Sequence, residues 1–312
     1  MSMRAIAQQQ GFWRIGFLYF GSRQSSLTTG RYTAFVQAMS ELGYVEGKNL
    51  LIETRFGDGK KEELPALVAD LLHSKVQVIV ATGSPVYGAL RHANATTPVV
   101  VTVTADPVSE GLAASLARPG GTFTGLSDYG AELVPKQLEL LKTALPKMLR
   151  VGVLLNPTNV SHPGQTQGLI VAARKIGVDV VQSVAGTIAG LDTGFASLVR
   201  KRADALILFG DTFFVQQFQQ IAQSAVNHRM PSISLTHDYA QAGGLMSYGP
   251  DLTDNFRRAA SYVDKILKGV KAGELPFQQP TRYVLAINVR TAKALGLTVP
   301  PALLLRADEV IQ

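Results

Sequence analysis

Six short segments of the chain gather residues that could hold a small molecule. They are Tyr19-Phe20-Gly21-Ser22, Thr82-Gly83-Ser84, Thr104-Ala105-Asp106-Pro107, Asn156-Pro157-Thr158-Asn159, Gly210-Asp211-Thr212-Phe213 and Thr236-His237-Asp238-Tyr239. Hydroxyls, amides and backbone N–H groups bond a polar solute, a carboxylate matches a cation, and an aromatic ring covers an apolar part. Each also has a plainer explanation. Ser84, Asp106 and Asp211 stand where helix N-caps belong, and capping alone accounts for such residues. Tyr19, Phe20, Phe213 and Phe214 could equally be core aromatics. What favours binding is the number of such segments rather than any single one.

Covalent or metal chemistry finds little support. There is no G-x-S-x-G elbow, no cysteine, and no metal-ligand spacing among the five histidines, at 73, 92, 162, 228 and 237. Gly43-Tyr44-Val45-Glu46-Gly47-Lys48-Asn49 superficially suggests a phosphate-binding loop. It is one residue short, its lysine precedes Asn, and it leads into a strand rather than a helix. Gly57-Asp58-Gly59 lacks the rest of a dinucleotide fingerprint. His237-Asp238 could serve acid–base work, but adjacent residues in one turn point in different directions, so ligand or structural hydrogen bonding is the better reading.

These segments are positioned by alternating strand and helix signals. Apolar runs at 14–20, 50–56, 76–81, 98–103 and 122–126 read as strands of a first half. Helical stripes such as Tyr32, Phe35, Val36, Met39 and Leu42, or Leu64, Leu67, Val68, Leu71 and Leu72, fall between them. The pattern restarts with a helix opened by Pro135, then strands at 150–155, 178–184, 203–209, 231–235 and 244–247, and a long helix over 252–268 capped by Asp251. Two consecutive strand–helix series predict an α/β chain with two Rossmann-like lobes, each a parallel sheet covered by helices on both faces. In such sheets ligands bind beyond the carboxyl ends of the strands. All six segments follow strands, which makes the candidate ligand-binding set Tyr19, Gly21, Ser22, Thr82, Gly83, Ser84, Asp106, Asn156, Asp211, Thr212, Phe213, His237 and Asp238.

At 312 residues, 46% hydrophobic and 17% charged, the chain has material for two cores. The net charge of +7 is spread over short clusters such as Arg200-Lys201-Arg202, without interleaved aromatics, so no nucleic-acid surface is expected. No apolar run approaches the ~20 residues of a membrane helix. The first residues, MSMRAIAQQQ, lack a signal peptide's hydrophobic segment, yet Ala5-Ile6-Ala7 has the small-x-small form that precedes a cleavage point. Residues 1–11 are therefore expected to be a disordered leader or the remnant of a signal peptide.

Longer phrases carry a resemblance. Ala34-Phe35, Glu41-Leu42-Gly43-Tyr44-Val45-Glu46-Gly47-Lys48-Asn49-Leu50, Asp106-Pro107-Val108, LAASLARPGG at 112–121, Thr124-Gly125-Leu126-Ser127, Ala203-Asp204-Ala205-Leu206, AGGLMSYGP at 242–250, YVDKILKG at 262–269 and TAKALGLTVP at 291–300 resemble a family of ABC transporter substrate-binding proteins. It is the family related to the tryptophan-importer binding protein, and the match spans about residues 12–312. The resemblance implies a type I periplasmic-binding-protein architecture joined by a three-crossing hinge, export to the periplasm, delivery to an ABC permease in the inner membrane, and no catalysis. The family's cleft segments fall on Thr82-Gly83-Ser84, Asp106, Asn156 and Asp211-Thr212. The chain departs from the tryptophan-type members at Gly210-Asp211-Thr212, where an Asp-Asn-Thr run is expected, so tryptophan is not carried over as the ligand.

The expectation is a monomeric solute-binding subunit that captures an amino acid, aromatic or branched, between two closing lobes, with no cofactor and no metal. Residues 12–127 plus 250–279 would form one lobe and 128–249 plus 280–312 the other. The ligand's carboxylate would meet Thr82-Gly83-Ser84, its ammonium Asp211 or else Asp106, and Tyr19 or Phe213 its apolar part. Asp211→Ala would then weaken binding at little cost in stability. The alternative is a ligand-sensing domain of the same architecture that feeds a receptor or regulator, although no helix-turn-helix segment precedes the first strand.

Overall fold

The computed structural model describes residues 12–128 and 130–312; the expected leader over 1–11 lies outside the described residues. The chain divides into two compact units. Among the described residues, one comprises 12–102, with Ala113–Gly125 and Phe256–Phe277; the other comprises Val103–Leu112, Leu126–Asn255 and Gln278–Gln312. Residues 103–112 were expected in the first unit and group with the second. A hydrogen bond from Asp128 N–H to the Thr104 carbonyl (2.9 Å) ties that segment to the chain after Leu126.

The first unit runs β1 (Trp13–Tyr19), α1 (Arg23–Thr28), α2 (Arg31–Glu41), β2 (Leu50–Phe56), α3 (Leu64–His73), β3 (Val78–Thr82), α4 (Ser84–His92), β4 (Val99–Val101) and β5 (Phe123–Gly125). Its sheet is parallel throughout, in the order β2-β1-β3-β4-β5. β1 is buried on both faces, with Ile15, Phe17 and Leu18 inaccessible to solvent, as a helix-covered parallel strand must be. Phe35 and Met39, one turn apart on α2, and Leu64, Val68 and Leu71 on α3 supply the covering stripes. At the sheet's edge Gly125 has φ +137°, and a Cβ there would meet the Val101 carbonyl oxygen, so this close strand approach requires glycine.

The second unit contains α5 (Gly130–Ala144), β6 (Arg150–Leu155), α6 (His162–Lys175), β7 (Asp179–Val184), α7 (Ile188–Arg200), β8 (Ala205–Leu208), α8 (Thr212–Gln216), α9 (Phe218–Asn227), β9 (Ser232–Ser234), α10 (His237–Gln241) and β10 (Met246–Pro250). It then gives the start of α11 (Leu252–Leu267), and after the chain's return adds β11 (Tyr283–Asn288), α12 (Val289–Ala294), α13 (Pro301–Leu304) and β12 (Glu309–Ile311). The sheet order is β12-β11-β10-β9-β8-β6-β7. β8 shows its double burial residue by residue. Ala205 and Ile207 pack with Leu138, Leu141 and Leu169 of α5 and α6, while Leu206 and Leu208 pack with Leu191, Phe195 and Ile221 of α7 and α9.

One pairing departs from the all-parallel expectation: β11 runs antiparallel to β10. β11 is reached only after the chain has passed through Phe256–Phe277 of the first unit, so no βαβ crossover fixes its direction. The last two strands and helices lie in a stretch whose sequence offers short, weakly periodic signals.

Candidate functional site

Sheet order locates the sites before any side chain is considered. β1 lies between β2 and β3, so the chain reverses its direction of winding between β1 and β3; in the second unit it does so between β6 and β8. At such switch points the helices that follow adjacent strands diverge to opposite faces, leaving a crevice at the carboxyl ends. Most of the candidate residues flank these two points; Asp106, His237 and Asp238 follow other strands.

In the first unit Tyr19 and Thr82 are register partners at the ends of β1 and β3. Tyr19 is core: its ring stacks on Phe17, and its hydroxyl accepts from the buried Arg31 guanidinium at 3.3 Å. Gly21 leaves room for that ring, since a Cβ would come within 2.6 Å of it. Ser22 caps α1, its Oγ accepting from Ser25 N–H at 3.1 Å. Thr82, half-buried, shares a 2.7 Å hydrogen bond with Thr102 through their hydroxyls. Beyond it Gly83 takes φ +107°, ψ 131°, and no side chain caps α4. The Gly83 carbonyl accepts from Val86 and Tyr87, and Ser84 stands exposed at the first turn. An uncapped helix start flanked by two hydroxyls offers positive potential and donors to an anion.

The second unit's rim is the opposite, a carboxylate already enclosed. Asp211 is 7% exposed and caps α8, Oδ1 accepting from Phe213 N–H (2.9 Å) and Phe214 N–H (3.1 Å). The side-chain amide of Asn156, at the end of β6, reaches both Asp211 oxygens at 3.1 Å, and that of Asn159 reaches Oδ2 at 2.8 Å. Asn156 Oδ1 in turn accepts from the backbone and hydroxyl of Thr158 (3.1 and 3.0 Å). Every donor to Asp211 is a neutral amide, and among the described residues no Lys or Arg pairs with it. The half-buried Phe213 and Thr212 open α8 beside it.

Beneath this network lies His162, the first residue of α6 and 2% exposed. Its Nδ1 accepts from Asn156 N–H at 3.0 Å. The ring stacks on Phe214 (5.9 Å) and meets Phe209 edge-on (5.6 Å). Burial pushes its pKa below the ordinary 6.5, opposed by the Asp211 charge and by the Gly210 carbonyl. That carbonyl favours the protonated ring without meeting a hydrogen-bond geometry, and Nε2 is left buried and unbonded.

The remaining candidates stand apart from these two groups. Asp106, exposed, accepts from Val108 and Ser109 N–H (3.0 and 3.1 Å) and so caps its own turn. His237, half-buried, is bound through Nε2 to Glu309 of β12 at 2.6 Å, which anchors the final strand; Asp238, its half-buried neighbour, is the next residue of α10. Asn159, named within a candidate segment but left out of the candidate set, and His162 are the residues that sequence reading did not assign to the site. The Asn-x-x-Asn spacing from the end of β6 was the available signal for Asn159; for His162 there was none, because only the fold brings it under Asp211.

This geometry matches known proteins over nearly the whole chain. The family model described as ABC transporter substrate binding protein matches residues 25–311. The chain belongs to that family. Members of this ABC transporter substrate-binding family typically work outside the cytoplasm, and no described helix is long and apolar enough to cross a membrane. A protein named tyrosine-binding protein from Clostridioides difficile (strain R20291) is 28% identical over 263 residues, covering 84% of this chain and 75% of its own length. A crystal structure of a conserved domain protein from Vibrio cholerae superposes with a TM-score of 0.88 at 27% identity, covering 96% of this chain and 99% of that one. An ABC domain from Streptococcus pneumonia, solved in complex with L-Trp, gives the same TM-score at 24% identity and the same coverage. The fold is that of type I periplasmic binding proteins.

Proposed function

We propose that this chain is the solute-binding subunit of an ABC importer, that it captures an aromatic amino acid outside the cytoplasm, hands it to a membrane permease, and catalyses no reaction. The observation that carries the amino-acid reading is Asp211: a buried carboxylate at a switch point, held by neutral amides, with no cationic side chain among the described residues paired to it. Isolated buried charge is costly, and a ligand ammonium is the group that relieves it. In the first unit the uncapped start of α4, with Thr82 and Ser84, has chemistry suited to a carboxylate. The names of the relatives, one tyrosine-binding and one bound to L-Trp, support an aromatic side chain, for which Phe213 is the candidate contact. Asp106 and His237 already have capping and anchoring partners, so they are secondary candidates.

The test is calorimetric titration with L-tyrosine and L-tryptophan beside analogues that each lack one group. Tyramine has no carboxylate, and 3-(4-hydroxyphenyl)propanoate has no ammonium. Each is expected to bind at least roughly a hundredfold more weakly than the parent, a loss of about 2.7 kcal/mol. Asp211→Asn is expected to penalise L-tyrosine and leave the already weak propanoate unchanged. Equal binding of tyrosine and the propanoate would overturn the Asp211 assignment, and shifts confined to sugars or purines would overturn the amino-acid reading.

A further inference from the structure

His162 belongs to no part of the proposed ligand contact, yet it sits under its most polar corner. We infer that His162 is a positioning residue whose unprotonated Nδ1 holds the Asn156 backbone, and through Asn156 the Asp211 carboxylate, in the arrangement that receives solute. The inference rests on the Asp211 reading above and adds that solute capture is switched off by acid. The chain of contacts is continuous: Nδ1 accepts from Asn156 N–H, and the Asn156 side chain donates to both oxygens of Asp211. Asp211 then fixes the first turn of α8 through Phe213 and Phe214. The ring cannot swing aside, because Phe214 stacks on one face and Phe209 closes an edge.

A proton on Nδ1 turns its lone pair into a second donor aimed at Asn156 N–H. Two donors cannot share the bond, so the end of β6 must move, and the Asn156 amide moves with it. The charged group facing the ring is Asp211, from the segment between β8 and α8. On its own helix the next residues, Pro163, Gly164 and Gln165, carry no charge, and Phe209 and Phe214 are neutral. Asp211 attracts the proton and burial repels it, and burial prevails. The neutral ring is therefore the working state near neutrality. The switch engages as pH falls below the ordinary 6.5 of a free histidine, and is fully released above it.

Two substitutions separate positioning from packing. Asn at 162 places its Oδ1 where Nδ1 stands and cannot titrate, whereas Leu fills space with no acceptor. The first experiment follows amide and Asn side-chain NMR signals of the ligand-free protein from about pH 7.5 to about pH 4.5. The Asn156, Phe213 and Phe214 amides are expected to shift with the His162 ring at one common midpoint, and to stay still over that range in His162→Asn. Amides that ignore the ring's titration would overturn the inference. The second is L-tyrosine and L-tryptophan affinity over the same range. Wild type is expected to lose about tenfold or more on acidification, His162→Asn to bind like wild type at neutrality and stay flat, and His162→Leu to bind weakly at both ends. If His162→Asn loses affinity in parallel with wild type, or His162→Leu matches wild type at neutrality, His162 is packing only. If Asp211→Asn binds as wild type while the NMR coupling is present, the Asp211 reading fails and the positioning of Asp211 by His162 stands as a structural device alone.

Discussion

The two rims occupy equivalent places in their sheets and are built in opposite ways. In the first unit the switch point is open: Gly83 takes a backbone conformation that only glycine adopts readily, and α4 starts without a cap. In the second it is closed: a carboxylate and two asparagines satisfy one another, and α8 is capped before any ligand arrives. One rim starts its helix without a side-chain cap, at the expense of helix stability, and the other holds a charge ready at the expense of desolvation. The pair illustrates that a strand end recognises an anion by what it omits and a cation by what it encloses.

The largest effect that would break this comparison comes from Asp211→Ala. Sequence reading expected it to cost binding and little stability. The structure corrects this: the change removes the α8 cap and leaves the buried side-chain amide of Asn156 without its acceptor, while the half-buried Asn159 keeps only its 3.3 Å bond to the Gly210 carbonyl. Urea denaturation should show a loss of about 2–4 kcal/mol, from a cap at ~1 kcal/mol and an unsatisfied buried amide at ~1–3 kcal/mol. Asp211→Asn, which retains an acceptor for the cap, should lose clearly less. If both variants were as stable as wild type, the second rim would not be the enclosed unit described here.

Gly83→Ala probes the other rim. At φ +107° a Cβ is strained, and the expected destabilisation is about 1–2 kcal/mol. Because α4 has no side-chain cap to lose, the penalty should be backbone strain alone and should not depend on salt. The equivalent change in L-tyrosine affinity should be larger than that for tyramine, which lacks the carboxylate. Equal losses for both ligands would remove the first rim's claim to an anion.

Much of this contrast was readable in the sequence, and the unreadable part has a physical reason. Strands such as Leu50–Phe56 and Arg150–Leu155 announce themselves by continuous apolar runs between turn residues, and these two have the expected bounds. Knowing that strand ends carry ligands in parallel sheets then selected Thr82-Gly83-Ser84, Asn156 and Asp211 without coordinates. Sequence could not show that Tyr19 points into the core or that Ser22 and Asp106 spend their oxygens on local turns, because an N-cap and a ligand contact use the same residue types. It could not reveal His162 either: its distance from Asp211 along the chain hides a proximity made by β6 and β8 lying side by side. β11 and β12 were missed because their pairing depends on where the chain returns, not on local periodicity.

The smallest expected effect is at His237, and it sharpens the comparison by its absence. The residue follows a strand of the second sheet, as Asp211 does, and carries a group that could meet a ligand. Its Nε2 is instead committed to Glu309, whose side chain is 43% exposed. Pairs so open to solvent contribute about 0.2–1 kcal/mol, because water competes for the bond and two mobile side chains must be ordered. His237→Gln should therefore lower stability by no more than that, chiefly by loosening β12, and should leave amino-acid affinity within about twofold of wild type. Hydrogen exchange at the β11–β12 pairing would register the loosening, since Asn288 and Ile311 face each other there. A binding loss comparable to that of Asp211→Asn would extend the solute site to α10. It would also mean that the second rim reaches the solute through α10 as well as through the Asp211 network.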